Sequence, residues 1–339
     1  MKKFLKRLIA LSVVSMGLAI GAIGLWATQP LALKSQVVDV SIEPGTSVRA
    51  ISQLVSNAGV DVSPTILYYF FKLSGQSRQL RAGSYELTLP ISPWDLLQKL
   101  ARGDENLKAV TLIEGWTFKQ WRQALNQSEF IKHDTKPLSD TEIMALLGRT
   151  DVPAEGRFYP DTYTYGKGTS DKEILRRSLK AMDQKLADAW KQKDANSVLK
   201  DPYDVLILAS IIEKETGKAS DRFFISSVFH NRLKIDMPLQ TDPTVIYGMG
   251  DAFDGNLRRI DLRTDHPWNT YTRKGMPPTP IAMPGKESLM AAVQPATSKS
   301  LYFVARGDGS SQFSDNLEDH NAAVQRFILN KNKTSTSQK

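Results

Sequence analysis

Residues 205–250 read VLILASIIEKETGKASDRFFISSVFHNRLKIDMPLQTDPTVIYGMG, and the apolar run at 205–212 is what most restricts the fold. The spacing predicts a helix that ends in two acids, Glu213 and Glu215, with Gly217 as a natural stop. Val205, Leu208, Ala209, Ile212, Glu215 and Thr216 share one face of such a helix. Glu215 then extends an apolar stripe, and Glu213 is expected about 160° away from it. A carboxyl on an apolar face is desolvated, which disfavours its charged form and raises its pKa. A general acid working near neutrality needs that property. The same spacing also suits a helix-end glutamate in solvent, or an ion-pair partner of Lys218 or Arg222. A second helix follows, carrying Phe223, Phe224, Val228 and Leu233. After it comes a polar loop, Gln240-Thr241-Asp242-Pro243-Thr244.

Residue inventory removes several classes of function. No cysteine is present, which excludes disulfides and thiolate zinc sites. His133, His230, His266 and His320 form no pair at metal-ligand spacing, so neither a metal nor another cofactor is expected. The net charge of +8 gathers at the two ends, in Lys2, Lys3, Lys6 and Arg7 and in Arg326, Lys331, Lys333 and Lys339. The middle has no basic run, so nucleic acid is not an expected partner. At 339 residues, 41% hydrophobic and 24% charged, the chain suits two or three ordinary globular domains.

Residues 1–7 form a basic head and residues 8–26 carry no charge. At about 1.5 Å per residue, that stretch just crosses a hydrocarbon core. A signal peptide is the rival, but Ala27-Thr28-Gln29-Pro30 makes a poor cleavage site. The expectation is a retained single-pass anchor with the basic head cytoplasmic and everything after Trp26 outside, in a bacterial periplasm or on the outer face of the membrane. Residues 37–103 alternate short strands and helices. Val37 to Ile42 reads as a strand, Ser47 caps a helix, and Pro64 and Ser92-Pro93 open two more. The order resembles a lysin-motif-like module, of the kind that binds N-acetylglucosamine polymers; a plain α+β spacer fits it too.

Residues 108–330 read as a mixed α+β domain, which makes the whole an α+β chain behind a transmembrane helix. Phe158, Tyr159, Tyr163 and Tyr165 lie in one aromatic loop and offer flat surfaces for sugar rings, or else pack under that loop. Pro277, Pro278, Pro280 and Pro284 stiffen a second loop. A strand over 301–305 meets a partner over 312–314 through Gly307-Asp308-Gly309, and a last helix follows. Residues 331–339 are polar and expected to be disordered.

Together these residues resemble the membrane-anchored endolytic murein transglycosylases, lytic transglycosylases of bacterial peptidoglycan. The resemblance is most specific in Ala209-Ser210-Ile211-Ile212-Glu213-Lys214-Glu215-Thr216 and in Leu239-Gln240-Thr241-Asp242-Pro243-Thr244 with Val245-Ile246-Tyr247-Gly248. Asn269-Thr270-Tyr271, Gly275 with Pro277-Pro278, Ile281, Pro284-Gly285, the 301–305 strand and His320-Asn321 match as well. Met276, His266, Trp268 and Gln312 depart from the usual pattern and touch subsite contacts rather than the reaction.

The resemblance implies that Glu215 is the catalytic residue. It would protonate the oxygen between N-acetylmuramic acid and N-acetylglucosamine. As a carboxylate it would then take the proton of the muramic C6 hydroxyl, which attacks C1 and closes a 1,6-anhydro ring. An internal nucleophile has a high effective molarity and needs no second carboxylate. Asn231, Gln240, Asp242, Asn269 and Tyr271 are the candidate substrate-binding residues. Peptidoglycan strands, the membrane and peptidoglycan synthases are the expected partners, and strand termination the expected outcome. Two other readings stay open: a non-catalytic glycan-binding scaffold, and a hydrolytic muramidase with Asp242 or Glu155 as its second carboxylate.

Overall fold

Alternation decides the first strand: Val38, Val40 and Ile42 are buried while Val37, Asp39 and Ser41 face outward. The computed structural model describes residues 2–329; the expected tail at 331–339 lies outside the described residues. The chain divides into two compact units. The first comprises Met1–Ala109, Glu129–Lys132 and Thr164–Thr169, and the second holds the remainder.

The first unit opens with helix α1 (Lys2–Thr28). Its segment Leu11–Thr28 is long and apolar enough to cross a membrane, a property shared by signal sequences. Leu11, Leu18 and Leu25 are each about two-thirds exposed or more (69%, 71% and 69%). Then come β1 (Ala32–Leu33), β2 (Val37–Ile42), α2 (Val48–Ala58), β3 (Val60–Asp61), α3 (Pro64–Leu73), β4 (Gly83–Thr88) and α4 (Pro93–Arg102). Strands β2 and β4 pair antiparallel from Val37↔Thr88 to Ile42↔Gly83. Ser47 caps α2 through the Ala50 N–H, and Ser92 with Asp95 forms a capping box on α4. Ile51, Val55, Leu67, Phe71, Leu87, Leu96 and Leu100 close the core against the inner face of the sheet. The outer face is covered by the unit's own later segments: the Ser84 hydroxyl donates to the Lys167 carbonyl, and Lys167 pairs with Asp39.

Strand β5 (Leu107–Leu112) pairs with β6 (Asp161–Gly166). The second unit is mostly helical. It contains α5 (Phe118–Gln127), α6 (Asp140–Leu146), α7 (Asp171–Lys191), α8 (Pro202–Glu215), α9 (Ala219–Lys234), α10 (Asp242–Met249), α11 (Arg259–Arg263) and α12 (Lys286–Val293). An antiparallel pair, β7 (Tyr302–Ala305) and β8 (Ser311–Ser314), and helix α13 (Leu317–Val324) complete it. Thr117 and Ser139 form capping boxes at α5 and α6.

Helix α8 is the axis of this unit. Every residue from 205 to 212 is buried, among Met182 and Leu186 of α7, Ile225 and Phe229 of α9, and Leu289 and Ala292 of α12. A helix apolar all round belongs in a core, so the expected division into one apolar and one polar face does not hold. The aromatic loop is also core: Phe158, Tyr163 and Tyr165 are buried, and Phe158 stacks on Phe118 at 4.9 Å. Only Tyr159 of the four keeps partial exposure. The polar stretch expected as a loop is half helix, since α10 starts at Asp242 with Pro243 in its first turn.

Candidate active site

Glu215 is the last residue of α8; Thr216 beyond it is extended. The Thr241 hydroxyl donates to Glu215 Oε1. Burial pushes the Glu215 carboxyl up to about 7; the Thr241 hydrogen bond pulls down, nearby Asp242 pushes up and Arg232 pulls down. The desolvation argument from the sequence therefore holds for Glu215, although the helix before it is buried on every side from 205 to 212.

Thr241 is itself fixed. Its N–H donates to Thr270 Oγ1 (3.1 Å), and the Thr244 hydroxyl donates to its carbonyl (2.8 Å). Gln240, just before it, sits at φ +49°, a left-handed conformation uncommon outside glycine. The Gln240 N–H donates to the Thr270 carbonyl at 3.1 Å, which holds that bend. Arg232 braces the same corner, donating to the Leu301 carbonyl (2.7 Å), the Leu239 carbonyl (2.9 Å) and Gln240 Oε1 (3.3 Å). Sequence reasoning did not assign Thr241, Thr270 or Arg232 to the site. Their one signal was adjacency: Thr241 stands between Gln240 and Asp242, and Arg232 follows Asn231.

Asp242 and Tyr271 come together, the Tyr271 hydroxyl donating to Asp242 Oδ1 at 2.5 Å. Burial, and then Asp242, raise the Tyr271 phenol pKa above its ordinary value, so it stays a donor. Gln240 keeps an exposed side chain. Asn231 and Asn269 are engaged elsewhere. Asn231 donates to the carbonyls of Ser298 and Ser300 (3.0 Å each). Asn269 is fully buried, donates to the Asp261, Leu262 and Thr264 carbonyls, and accepts the N–H groups of Tyr271 and Thr272. Both amides hold backbone, with no donor left for a sugar acetamido group.

Glu213 turns inward too. Its side chain is 6% exposed, against 10% for Arg222, which lies 3.4 Å from Glu213 Oε1. The Gly285 N–H donates to Glu213 Oε2 (2.9 Å), and the Ile281 N–H donates to the Ser210 hydroxyl (3.0 Å). Residues 281–285 therefore run along α8, clipped at two points one turn apart. Met283 in that strap exchanges backbone hydrogen bonds with Gly115 and Trp116. The ion pair allowed for Glu215 is made by Glu213. Glu155, a candidate second carboxylate, is 9% exposed; it accepts the Phe118 N–H at 3.0 Å and the Tyr247 hydroxyl at 3.2 Å. Burial pushes its carboxyl up to about 7, and its role is to accept the first N–H of α5.

Fold and site define a two-unit α+β protein whose helical unit carries a desolvated glutamate at the end of a central helix, beside a hydroxyl donor and a tyrosine-bound aspartate. The chain belongs to the YceG-like family, whose profile matches residues 40–326. It is 33% identical over 313 residues to an endolytic murein transglycosylase of Bacillus subtilis strain 168, covering 87% of this chain and 86% of the relative. A protein of the same name from Streptococcus pneumoniae strain D39 is 28% identical over 328 residues, 87% of this chain and 59% of the longer relative. A crystal structure of a YceG-like protein from Listeria monocytogenes aligns with a TM-score of 0.55 at 31% identity, covering 86% of this chain and 99% of that one. The resemblance read from the sequence is borne out.

Proposed function

We propose that the chain is an endolytic lytic transglycosylase of peptidoglycan, a carbon–oxygen lyase, with Glu215 as both acid and base. The observation that carries this is the Glu215 carboxyl: desolvated, raised to about 7, and aimed by Thr241. In the first half of the reaction Glu215 gives its proton to the bridging oxygen, and the muramic C1–O bond breaks. In the second half the C6 hydroxyl oxygen bonds C1 and its proton passes to the Glu215 carboxylate. Water is not consumed, and the enzyme regains its starting protonation state. Asp242, held by Tyr271 beside the acid, stabilises the oxocarbenium-like state through its carboxyl oxygens. Gln240 and Tyr271 orient the sugar beside it; Asn269 holds the loop that carries Tyr271, and Asn231 ties down the Ser298 and Ser300 carbonyls.

One observation favours a second reading: Asp242 is close enough to Glu215 to raise its pKa. A hydrolase would use it to activate water. Analysis of strand ends after digestion separates the readings. The lyase leaves 1,6-anhydro-muramic ends, a hydrolase leaves free reducing ends, and a binding scaffold leaves the strands uncut.

The wider plan is part of the same proposal. Residues 8–26 stay as an anchor with residues 1–7 cytoplasmic, residues 37–103 act as a lysin-motif-like glycan-binding module, and residues 108–330 as the periplasmic catalytic domain. The anchor would hold the enzyme where synthases release new strands. The basic head before an uncharged stretch supports this.

A further inference from the structure

A groove of 420 Å³ lies against the wall of the acid site, lined by Arg259, Leu262, Arg263, Tyr271 and Thr272. Its volume falls in the range of sites that hold small-molecule-sized groups. Tyr271 is common to both places: it lines the groove, and its hydroxyl holds Asp242 beside Glu215. Asn269 frames the groove, because its amide donates to three carbonyls at α11 and just after it, and its oxygen accepts from Tyr271 and Thr272. Opposite walls are thereby tied through one buried side chain.

Arg259 and Arg263 stand one turn apart on α11, both exposed. Like charges at that spacing destabilise a helix. Neighbouring arginines are neutralised, Arg258 by Asp254 and Arg273 by Asp265. Among the described residues, Arg259 and Arg263 have no such carboxylate partner. Two guanidinium forks with Leu262 between them suit a ligand that carries carboxylates on a short apolar backbone.

We propose that this groove binds the carboxylates of the peptide stem attached to the muramic acid residue being cut, so that the enzyme prefers stem-bearing strands to bare glycan. This rests on the transglycosylase reading of the adjoining site. Arg259 and Arg263 act in substrate binding, and Tyr271 couples stem recognition to the acid.

The test compares wild type with Arg259→Gln/Arg263→Gln on glycan strands that carry free stems, and on strands stripped of stems by an amidase. On stem-bearing strands the double variant raises KM about tenfold with kcat nearly unchanged, and the gap narrows as salt rises. On bare strands the two proteins differ by at most about twofold. Arg259→Lys/Arg263→Lys, which keeps charge and loses the fork, falls between. Equal KM values on stem-bearing strands, or an equal loss on bare ones, would overturn the proposal. Binding of stem-bearing strands to inactive Glu215→Gln protein, with and without the two arginines, reads the groove even if no strand is cut. Weaker binding without the arginines supports the groove, and unchanged binding overturns it. Absence of cleavage by wild type counts against the transglycosylase reading alone.

Discussion

Thr241 and Glu215 lie 26 positions apart, yet the hydroxyl of one donates to the carboxyl of the other at the junction of α8 and α10. That bond aims the one carboxyl proposed to move both protons, and it opposes the burial that raises the carboxyl's pKa.

Replacing the acid should stop the chemistry and leave the fold. Glu215→Gln keeps shape but has no proton to give, so anhydro-end formation should fall by about 10²–10⁴-fold, with an unchanged circular dichroism spectrum. Cleavage by the folded variant at the wild-type rate would sink the assignment.

Stability of the same variant should depend on pH. The folded pKa of Glu215 is about 7, above the ordinary 4.5, so the folded state binds more protons than the unfolded one between those values. Wild-type stability from this group is therefore full below about pH 4.5 and declines as pH rises to about 7. Glu215→Gln should match wild type in thermal unfolding at pH 4 and unfold at a higher temperature at pH 8. A difference of the same size at both pH values would contradict the burial argument.

Thr241→Val removes the stronger of the two groups that lower the Glu215 pKa, leaving Arg232 as the weaker one, and leaves those that raise it. The alkaline limb of kcat/KM, expected near pH 7 in wild type, should move to higher pH. The maximal rate should fall about tenfold, because the carboxylate formed mid-reaction loses its donor. Thr241→Ser should restore both. An unmoved limb would show that this hydroxyl does not tune the acid.

Glu213→Ala should act on stability. It leaves Arg222 largely buried without its partner and frees the Gly285 N–H. The expected loss is about 2–4 kcal/mol in denaturant unfolding. Relief of Glu114, whose pKa is raised by burial and then by Glu213, offsets part of it. Unchanged unfolding would mean that the strap at 281–285 is held by other contacts.

Glu155→Gln tests the hydrolytic reading. Glu155 serves the Phe118 N–H and the Tyr247 hydroxyl. Glutamine keeps an acceptor for the first, so strand cleavage should stay within about threefold of wild type. Loss on the scale of Glu215→Gln would make Glu155 a reacting group.

The central helix, its terminal acid and most element types were legible because they depend on local pattern: an apolar run, a glycine stop, caps such as Ser47 and Ser92. Glu213 was not. On a helix buried all round, angular position no longer separates inside from outside, and its partners Arg222 and Gly285 come from α9 and the start of α12. Asn231 and Asn269 looked like sugar ligands because the sequence shows a carboxamide's capacity and not the carbonyls it meets. Phe158 and Tyr163 looked like a sugar platform for a similar reason, since an aromatic loop reads alike above a core and within one. Thr241 was hidden because a threonine in a polar stretch carries no sign of which carboxyl it will face.

The first unit is stitched from three separate lengths of chain. Lys167 meets Asp39 and Ser84, and the Lys132 N–H donates to the Thr169 carbonyl, so residues far downstream finish a structure begun near the start. Gene rearrangement moves uninterrupted coding stretches, and an excerpt ending at residue 103 would arrive elsewhere without Phe130 or Lys167 to cover the outer face of its sheet. This unit is not a cassette. A transplanted copy of residues 37–103 alone would need that cover rebuilt from other sequence.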